Sequence, residues 1–527
     1  MKVLVADNIS QKGIDCLKQE KGIETDVKLG LSEDELVKVI PEYDALIVRS
    51  AVKVTKPIID AAANLKIIGR AGVGVDNIDT DHATRKGIIV MNSPFGNTIS
   101  AAEHTVAMML SLARNIPQAD RKLKGGQWDR KSFTGAELNK KTLGVVGIGK
   151  VGKEVVVRAK SFNMKVIAYD PYISKEAADE MEVELKELGD VLGESDFITV
   201  HTPLTPATRN LIGEKQFAMM KTGVRIINCA RGGIINEQAL ADAIKKGKVK
   251  GAALDVYEQE PPLKSELLTL DNTITTPHLG ASTVEAQTNV STDVAEQIIE
   301  YKKTGRIINA INMPQIHPDA LAKTAPYLKL AEQIGIITAH IPNSNIKGVE
   351  ITYTGEIATL DTRHLTTSAL KGLLSPMCGP AVNYVNAPYL AKERKIEVKE
   401  SKIETSKNYM NQITITTTCS QDTVNKASGI LVNNMPRITR INDFEVEMVP
   451  EGNILMVRHN DVPGTIGAIA TMLGQNSINI AGMSVGRSAP QQPALMTLNV
   501  DQPVSKAVIE QLNQLKNVNS TAFITIS

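Results

Sequence analysis

Three side chains of this 527-residue sequence have the types and positions needed to take a proton from an alcohol. They are Arg231 in "NCARGG", Glu260 in "DVYEQEPP" and His278 in "PHLGAS". Each follows an apolar run that reads as a parallel strand. All three therefore stand beyond the carboxyl ends of strands, where open α/β sheets bind ligands. Removing hydride from an alcohol carbon requires removing the hydroxyl proton as well. A histidine titrating near neutrality suits that transfer in both directions. A carboxylate on its other ring nitrogen fixes the tautomer and stabilises the imidazolium. An arginine can hold a substrate carboxylate with two N–H bonds and polarise the carbonyl. Singly, Arg231 reads as a surface charge, Glu260 as a loop residue before a proline pair, and His278 as a helix cap. Their order behind a nucleotide motif assigns them together.

That motif is Gly147, Gly149 and Gly152 in "LGVVGIGKVG". The first glycine permits a tight turn, the second admits a pyrophosphate against the backbone, and the third lets helix pack on strand. The helix that follows offers free N–H groups and a positive dipole end to phosphates. A second strand ends in Asp170, eighteen residues after Gly152. An acid there accepts both ribose hydroxyls and repels a 2′-phosphate, so NAD is expected rather than NADP. His104 and His201 read as packing or cofactor-adjacent residues. The eight histidines show no zinc spacing, and no metal is expected.

The chain must supply sheets to carry these residues. "KVLVAD", "ALIVRS", "LKIIGR" and "GIIVMN" read as buried parallel strands with helices between them. "NTISAAEHTVAMMLSLARNIPQADRKLKGG" reads as one long helix with a bend near Pro117. A second βα series follows from "TLGVVGIG" to "NTITTPHLG", and "STVEAQTNVSTDVAEQIIEYKK" is a helix of about six turns. The fold class is α/β, with two doubly wound parallel-sheet domains. "NMPQIHPDA" marks a linker into an α+β segment, in which the charge-dense stretch 391–407 reads as a solvated strand pair. The last 75 residues follow β, α, β, β, α, β, the ferredoxin-like order. A unit this small has a bare sheet face and open edges, so it is expected to pair with another copy.

Composition narrows the function classes. A formal net charge of +1 argues against nucleic-acid or membrane-surface binding. No apolar run approaches a membrane span. Cys16, Cys229, Cys378 and Cys419 are far apart and form no CxxC pair, which fits reduced thiols in a cytoplasmic protein. Arg49 and Arg70 end two strands of the first series, and two arginines on one spot suit a phosphate or carboxylate. Pairing with the local acids Asp44 or Asp76 is the other reading.

With "LIVRSAVKVT", "GRAGVGVDNID", "GNTISAAEHT", "NCARGG" and "PHLGAS", the chain resembles the D-2-hydroxyacid dehydrogenases, and among them the long D-3-phosphoglycerate dehydrogenase family. Arg231, Glu260 and His278 fall on that family's catalytic trio. The resemblance implies a substrate-binding domain over 1–97 plus 282–312 and an inserted NAD domain over 98–281. It also implies an intermediate domain of allosteric substrate-binding type over 313–450 and an ACT domain over 453–527. It adds Lys150, Val151, Thr202, Cys229, Ala230, Asp255, Gly280 and Ala281 to the cofactor residues. Arg49, Lys53 and Arg70 would surround the phosphate of 3-phosphoglycerate, and Asn97, Val73 and Gly74 would lie near its carboxylate. Val73 stands where some relatives carry a threonine that contacts the cofactor, and Phe95 replaces a smaller or polar residue. Arg130, beside Trp128, would reach a neighbouring subunit's site in a homodimer or homotetramer. His459, Asp461 and Asn479 would hold L-serine at an ACT dimer seam. A glyoxylate or hydroxypyruvate reductase on the same framework, or an NAD-sensing protein without turnover, remains an alternative.

Overall fold

The computed structural model describes residues 1–341, 345–406, 408–420, 423–487, 489 and 492–526. Short aliphatic runs form the first sheet: β1 (Lys2–Val5), β2 (Glu24–Val27), β3 (Ala45–Val48), β4 (Ile67–Arg70) and β5 (Ile89–Asn92). All pairs are parallel, in the order β2-β1-β3-β4-β5. The sequence reading lacked β2. Its residues, "ETDV", are polar and partly exposed at the sheet edge, and their pairing to β1 leaves no hydrophobic trace.

The chain leaves this sheet by the helix Thr98–Arg114, which ends at Asn115 in the left-handed conformation (φ 53°). A second helix, Ile116–Lys124, restarts with Pro117 in its first turn, where proline lacks no needed N–H. The second sheet comprises β6 (Thr142–Val146), β7 (Lys165–Tyr169), β8 (Glu184–Leu185), β9 (Phe197–Val200), β10 (Val224–Asn228), β11 (Val249–Leu254) and β12 (Thr273–Thr275). It is parallel throughout, in the order β12-β11-β10-β9-β6-β7-β8. The order reverses between β6 and β9, which makes a crevice above the glycine turn.

The chain returns through the helix Val284–Thr304, capped by the Thr283 side chain and closed by Gly305. Val290, Val294 and Ile298 are buried in one cluster with Val3, Val5, Ile47 and Ile67 of the first sheet. The two crossings lie side by side, with Ser100 Oγ 2.6 Å from Thr283 Oγ1.

The third sheet is mixed: β13 (Ile346–Gly355), β14 (Glu397–Ile403), β15 (Asn411–Cys419), β16 (Val424–Val432), β17 (Met435–Ile441) and β18 (Phe444–Met448). Its order is β14-β13-β15-β16-β17-β18, with β13 and β14 parallel and the rest antiparallel. The expected strand pair at 391–407 is corrected here. The helix Ala387–Glu393 buries Ala387 and Ala391, and a single exposed edge strand, β14, follows. Residue 407 lies outside the described residues.

The last sheet has β19 (Gly452–Asn460), β20 (Ile480–Arg487), β21 (Pro493–Val500) and β22 (Val518–Ile526), antiparallel in the order β20-β21-β19-β22. Residue 527 is outside the described residues. The helices Thr465–Gln475 and Lys506–Gln514 share a core with one face. The other face is not bare, contrary to expectation. Ile454, Met456, Leu495, Ile524 and Ile526 join Leu330, Ile334 and Ile337 of the helix Pro326–His340 in one buried cluster. Among the described residues no helix is long and apolar enough to cross a membrane.

Candidate active site

The nucleotide turn follows from its glycines. Gly147 adopts φ 95°, and a Cβ there would press on the His201 carbonyl and the Thr202 side chain. Gly149 caps the helix Lys150–Ser161 and has nothing within 4 Å of where a Cβ would stand, leaving an open cradle at the helix N-terminus. A Cβ on Gly152 would strike the Gly147 carbonyl. Asp170 closes the turn: its Oδ2 accepts from Ile148 N–H at 2.8 Å and its Oδ1 from Tyr172 N–H at 2.9 Å. Beneath the turn His201 is held neutral, pulled down to about 4 by burial, beside Thr199 Oγ1 at 3.0 Å. Thr202 Oγ1 is buried without a partner, a hydroxyl free for a ligand. Cys229 is buried and its thiol is pushed up to about 12 by burial and nearby Asp255, so it is inert. Ala230 N–H donates to Asn228 Oδ1 at 3.0 Å, and Val151 packs on the core below. These features fit a bound dinucleotide.

Lys150, first residue of that helix, crosses to the other domain. Its ammonium lies 3.4 Å from the Phe95 ring centroid and donates to the Pro94 carbonyl at 3.2 Å. Burial lowers its pKa.

Glu260 and His278 meet. His278 Nδ1 lies 2.8 Å from Glu260 Oε2 and 3.1 Å from Oε1. Burial raises the Glu260 pKa, but the His278 hydrogen bond and charge and the Tyr257 N–H outweigh it and hold it below the usual carboxylate value. Glu260 is thus an acceptor at neutral pH, and His278 Nε2 is left free. Arg231 lies on the adjoining loop, since Gly232 packs directly on the Tyr257 carbonyl. Below His278, Asp255 accepts from the N–H groups of Leu279 and Gly280, and Ala281 follows them into the return crossing.

Arg231 reaches the first domain. Its Nε donates to Asp76 Oδ2 at 3.1 Å, and a Cβ on Gly74 would collide with its guanidinium. Gly72 likewise leaves room for the Arg70 guanidinium. Arg70 is pulled down to about 10, first by burial and then by Arg231, with Arg49 adding to it and Asp76 opposing. Its Nε is buried without a partner. The pairing of Arg49 or Arg70 with Asp44 is not seen: Asp44 takes Lys66 at 3.0 Å and the Lys2 N–H. Arg70 thus has two other guanidiniums, Arg231 and Arg49, and two carboxylates, Asp76 and Asp7, in range, an arrangement that suits an anion. Asn97 Oδ1 is a further buried atom without a partner. The Val73 carbonyl is taken by Asn92 Nδ2 at 2.6 Å. Lys53 is exposed on the loop after β3 and lines a cavity of about 430 Å³ with Asp7, whose carboxylate also acts on Arg70 and accepts from the Arg49 N–H.

Two groups of named residues are not brought together within the chain. Arg130 lies exposed in the turn after Ile116–Lys124, with no hydrogen bond to the cleft. His459 and Asp461 stand at one end of the last sheet, where His459 pairs opposite Ala494. Asn479 stands at the other, next to Ile480 opposite Val500, so the separation along β19 is roughly 20 Å at ~3.3 Å per residue. His459 is fully buried, with Nδ1 2.9 Å from the Asn460 carbonyl and Nε2 without a partner. Asp461 pairs with Arg487 at 3.2 Å, and Asn479 Nδ2 donates to Asp501 at 2.7 Å.

The comparisons agree with this architecture. Residues 106–280 match the family described as D-isomer specific 2-hydroxyacid dehydrogenase, NAD binding domain. Residues 323–442 match the D-3-phosphoglycerate dehydrogenase intervening domain, and 453–517 match the ACT domain. The chain is 47% identical over 527 residues to the D-3-phosphoglycerate dehydrogenase of Methanocaldococcus jannaschii, covering 100% of both chains. It is 42% identical over 526 residues to that of Bacillus subtilis, covering 100% of this chain and 99% of the other. Among solved structures it resembles the D-lactate dehydrogenase of Aquifex aeolicus complexed with NAD and lactic acid. That match has a TM-score of 0.53 at 28% identity and covers 59% of this chain and 100% of the other.

Proposed function

The chain belongs to the D-3-phosphoglycerate dehydrogenase family, and from that premise we propose how its residues carry out the reaction. The reaction is the NAD-dependent oxidation of 3-phospho-D-glycerate to 3-phosphohydroxypyruvate, the first step of phosphorylated serine synthesis. Gly147, Gly149, Lys150, Gly152, Asp170 and Thr202 would hold NAD, which when bound supplies the hydride acceptor. Arg231, with Asn97 and the backbone at Gly74, receives the substrate carboxylate. Arg49 and Arg70 receive the phosphate, assisted by Lys53. His278 Nε2 accepts the hydroxyl proton as the C–H bond breaks. Glu260 on Nδ1 keeps the acceptor tautomer and stabilises the imidazolium. In reduction the same proton returns to the carbonyl oxygen.

One observation carries the choice of substrate: Arg70, largely buried, with a donor left unpartnered and two other guanidiniums near it. A divalent phosphate offsets that accumulation of charge. A reductase acting on an unphosphorylated acid leaves Arg49 and Arg70 without a task. NADH formation with 3-phosphoglycerate, compared with glycerate and lactate, tests the assignment; equal rates on all three would overturn it. In the same assay His278→Ala lowers turnover by roughly 10²–10⁴-fold while NADH binding holds. Near-normal turnover removes His278 from the mechanism.

We assign the units as 1–97 plus 282–312, 98–281, 313–450 and 453–527, in a cytoplasmic homo-oligomer. The helix Ile116–Lys124 buries none of its residues, and Ile116, Leu123 and Trp128 are 52%, 56% and 79% exposed. A second copy covers that face and brings Arg130 toward its neighbour's cleft. L-serine is the effector, held between His459 and Asp461 of one subunit and the partner's Asn479, because one sheet keeps these residues apart.

A further inference from the structure

The catalytic loop is itself held by a group that the reaction does not consume. Asp255 follows β11 and is fully buried. Its Oδ1 lies 3.2 Å from His104 Nε2 and accepts from the Thr276 hydroxyl at 2.5 Å and from the Leu279 N–H at 2.7 Å. Its Oδ2 accepts from the Gly280 N–H at 2.8 Å. Burial pushes this carboxyl up, yet His104, Thr276 and the loop N–H groups outweigh it and keep it anionic.

The two N–H groups belong to the residues directly after His278. His278 itself has φ 56°, a left-handed conformation that a residue with a Cβ keeps only when its surroundings impose it. Asp255 therefore fixes the direction in which the imidazole leaves the backbone. His104 lies on the helix Thr98–Arg114, the outward crossing between the first two domains. Its ring also approaches Thr276 Oγ1 at 3.3 Å, and Ala101, one turn earlier, lies under Gly280. Any rotation of the crossing helix moves His104 against the carboxylate that holds the loop.

We propose that His104 is a positioning residue for the dehydrogenation: through Asp255 it ties the orientation of the His278 loop to the crossing helix, so that the proton acceptor is aligned when the cleft closes. The inference rests on the reading of His278 as that acceptor.

The test uses the full-length enzyme carrying His104→Leu, His104→Gln, His104→Asn, His278→Ala, or the double change His104→Leu with His278→Ala. Measured are kcat with 3-phosphoglycerate, the isotope effect on kcat with substrate deuterated at C2, the Kd of NADH, and thermal midpoints. His104→Leu lowers kcat about 10- to 100-fold, raises the isotope effect and leaves the NADH Kd within about twofold. His104→Gln, whose amide reaches Asp255, recovers most of the loss. His104→Asn, too short to reach, does not, so the comparison survives if the leucine variant folds poorly. In the His278→Ala background, His104→Leu costs less than about twofold more. Unchanged kcat in His104→Leu, a NADH Kd rising in step with the loss, or a full additional loss in the double variant overturns the proposal. Normal turnover in His278→Ala would instead remove the acceptor assignment, which the single His104 variants distinguish.

Discussion

The two halves of the molecule join their domains by opposite means. In the first half the two parallel sheets keep separate cores. The clusters built on Val3, Leu4 and Ile47, and on Leu143, Val145 and Ile226, share no residue. What crosses between them is polar: Arg231 to Asp76, Lys150 to Pro94 and Phe95, Ser100 to Thr283. In the second half the intermediate and ACT sheets share one core, with Leu330 and Ile334 packed in the same cluster as Ile454 and Ile524. Sheets joined by polar pairs can part and re-form at small cost, whereas a shared apolar core opens only by exposing itself to water. The first half is therefore built to hinge and the second to move as one body. On the proposal that L-serine binds the ACT sheet, its signal would reach the cleft at the joint between the halves. There Asn383 Nδ2 donates to the Gly87 carbonyl at 2.8 Å and Arg85 stacks 5.0 Å from the Tyr389 ring centroid.

The sharpest way to break this contrast is a cavity in the shared core. Leu330→Ala should cost about 2–5 kcal/mol and lower the melting of both back-half sheets together, with NADH binding unchanged. Calorimetry that resolves separate intermediate and ACT transitions would deny the common core. In the hinged half, Arg70→Ala should raise the KM for 3-phosphoglycerate roughly 10- to 100-fold, as expected for loss of a charge-assisted pair worth ~1.5–3 kcal/mol. The KM for an unphosphorylated 2-hydroxy acid should change far less. Equal losses on both would make Arg70 structural. The smallest effect is expected at the joint. Asn383→Ala removes the bond to Gly87 and the two that its Oδ1 accepts from the Val385 and Asn386 N–H groups, each worth about 1 kcal/mol, weakening serine inhibition while leaving basal turnover and calorimetric serine binding in place. Asp461→Ala, by contrast, should abolish the binding heat itself. If Asn383→Ala and Asp461→Ala behave alike, the joint is not the route of the signal.

The first half was legible because its chemistry sits in short motifs at strand ends. The glycine turn, Asp170 and the order of Arg231, Glu260 and His278 are local patterns, and a parallel sheet places them without further information. What escaped was held by contacts distant in sequence or by polar backbone. β2 pairs through main-chain bonds behind "ETDV", a run with no apolar face. Asp76 looks like a mate for Arg70 by proximity in the chain, yet it meets Arg231, 155 residues away. His104 reads as packing or cofactor-adjacent because nothing near it in sequence reveals Asp255. The last sheet shows the limit most clearly. Its consecutive apolar residues, "ILMV" at 454–457 and "ALM" at 494–496, point to both faces, and only the folded chain reveals that the helix Pro326–His340 covers the second.

The return helix also sets an order of events during synthesis. The apolar face formed by Val3, Val5, Ile47 and Ile67 is completed by Val290, Val294 and Ile298. Roughly 190 residues separate β5 from that helix. At a ribosome's pace of ~5–20 residues per second, the first sheet waits about 10–40 s with that face covered only in part, by Ile14 and Leu17 of the helix Gln11–Gln19, while the inserted domain emerges and folds. Its β4–β5 strands are then an aggregation hazard for the nascent chain. Slower translation across the insert would lengthen that exposure, and a chaperone that holds apolar strands would shorten its consequences. The insertion that creates the catalytic cleft thus makes the first-begun domain finish after the domain inserted into it.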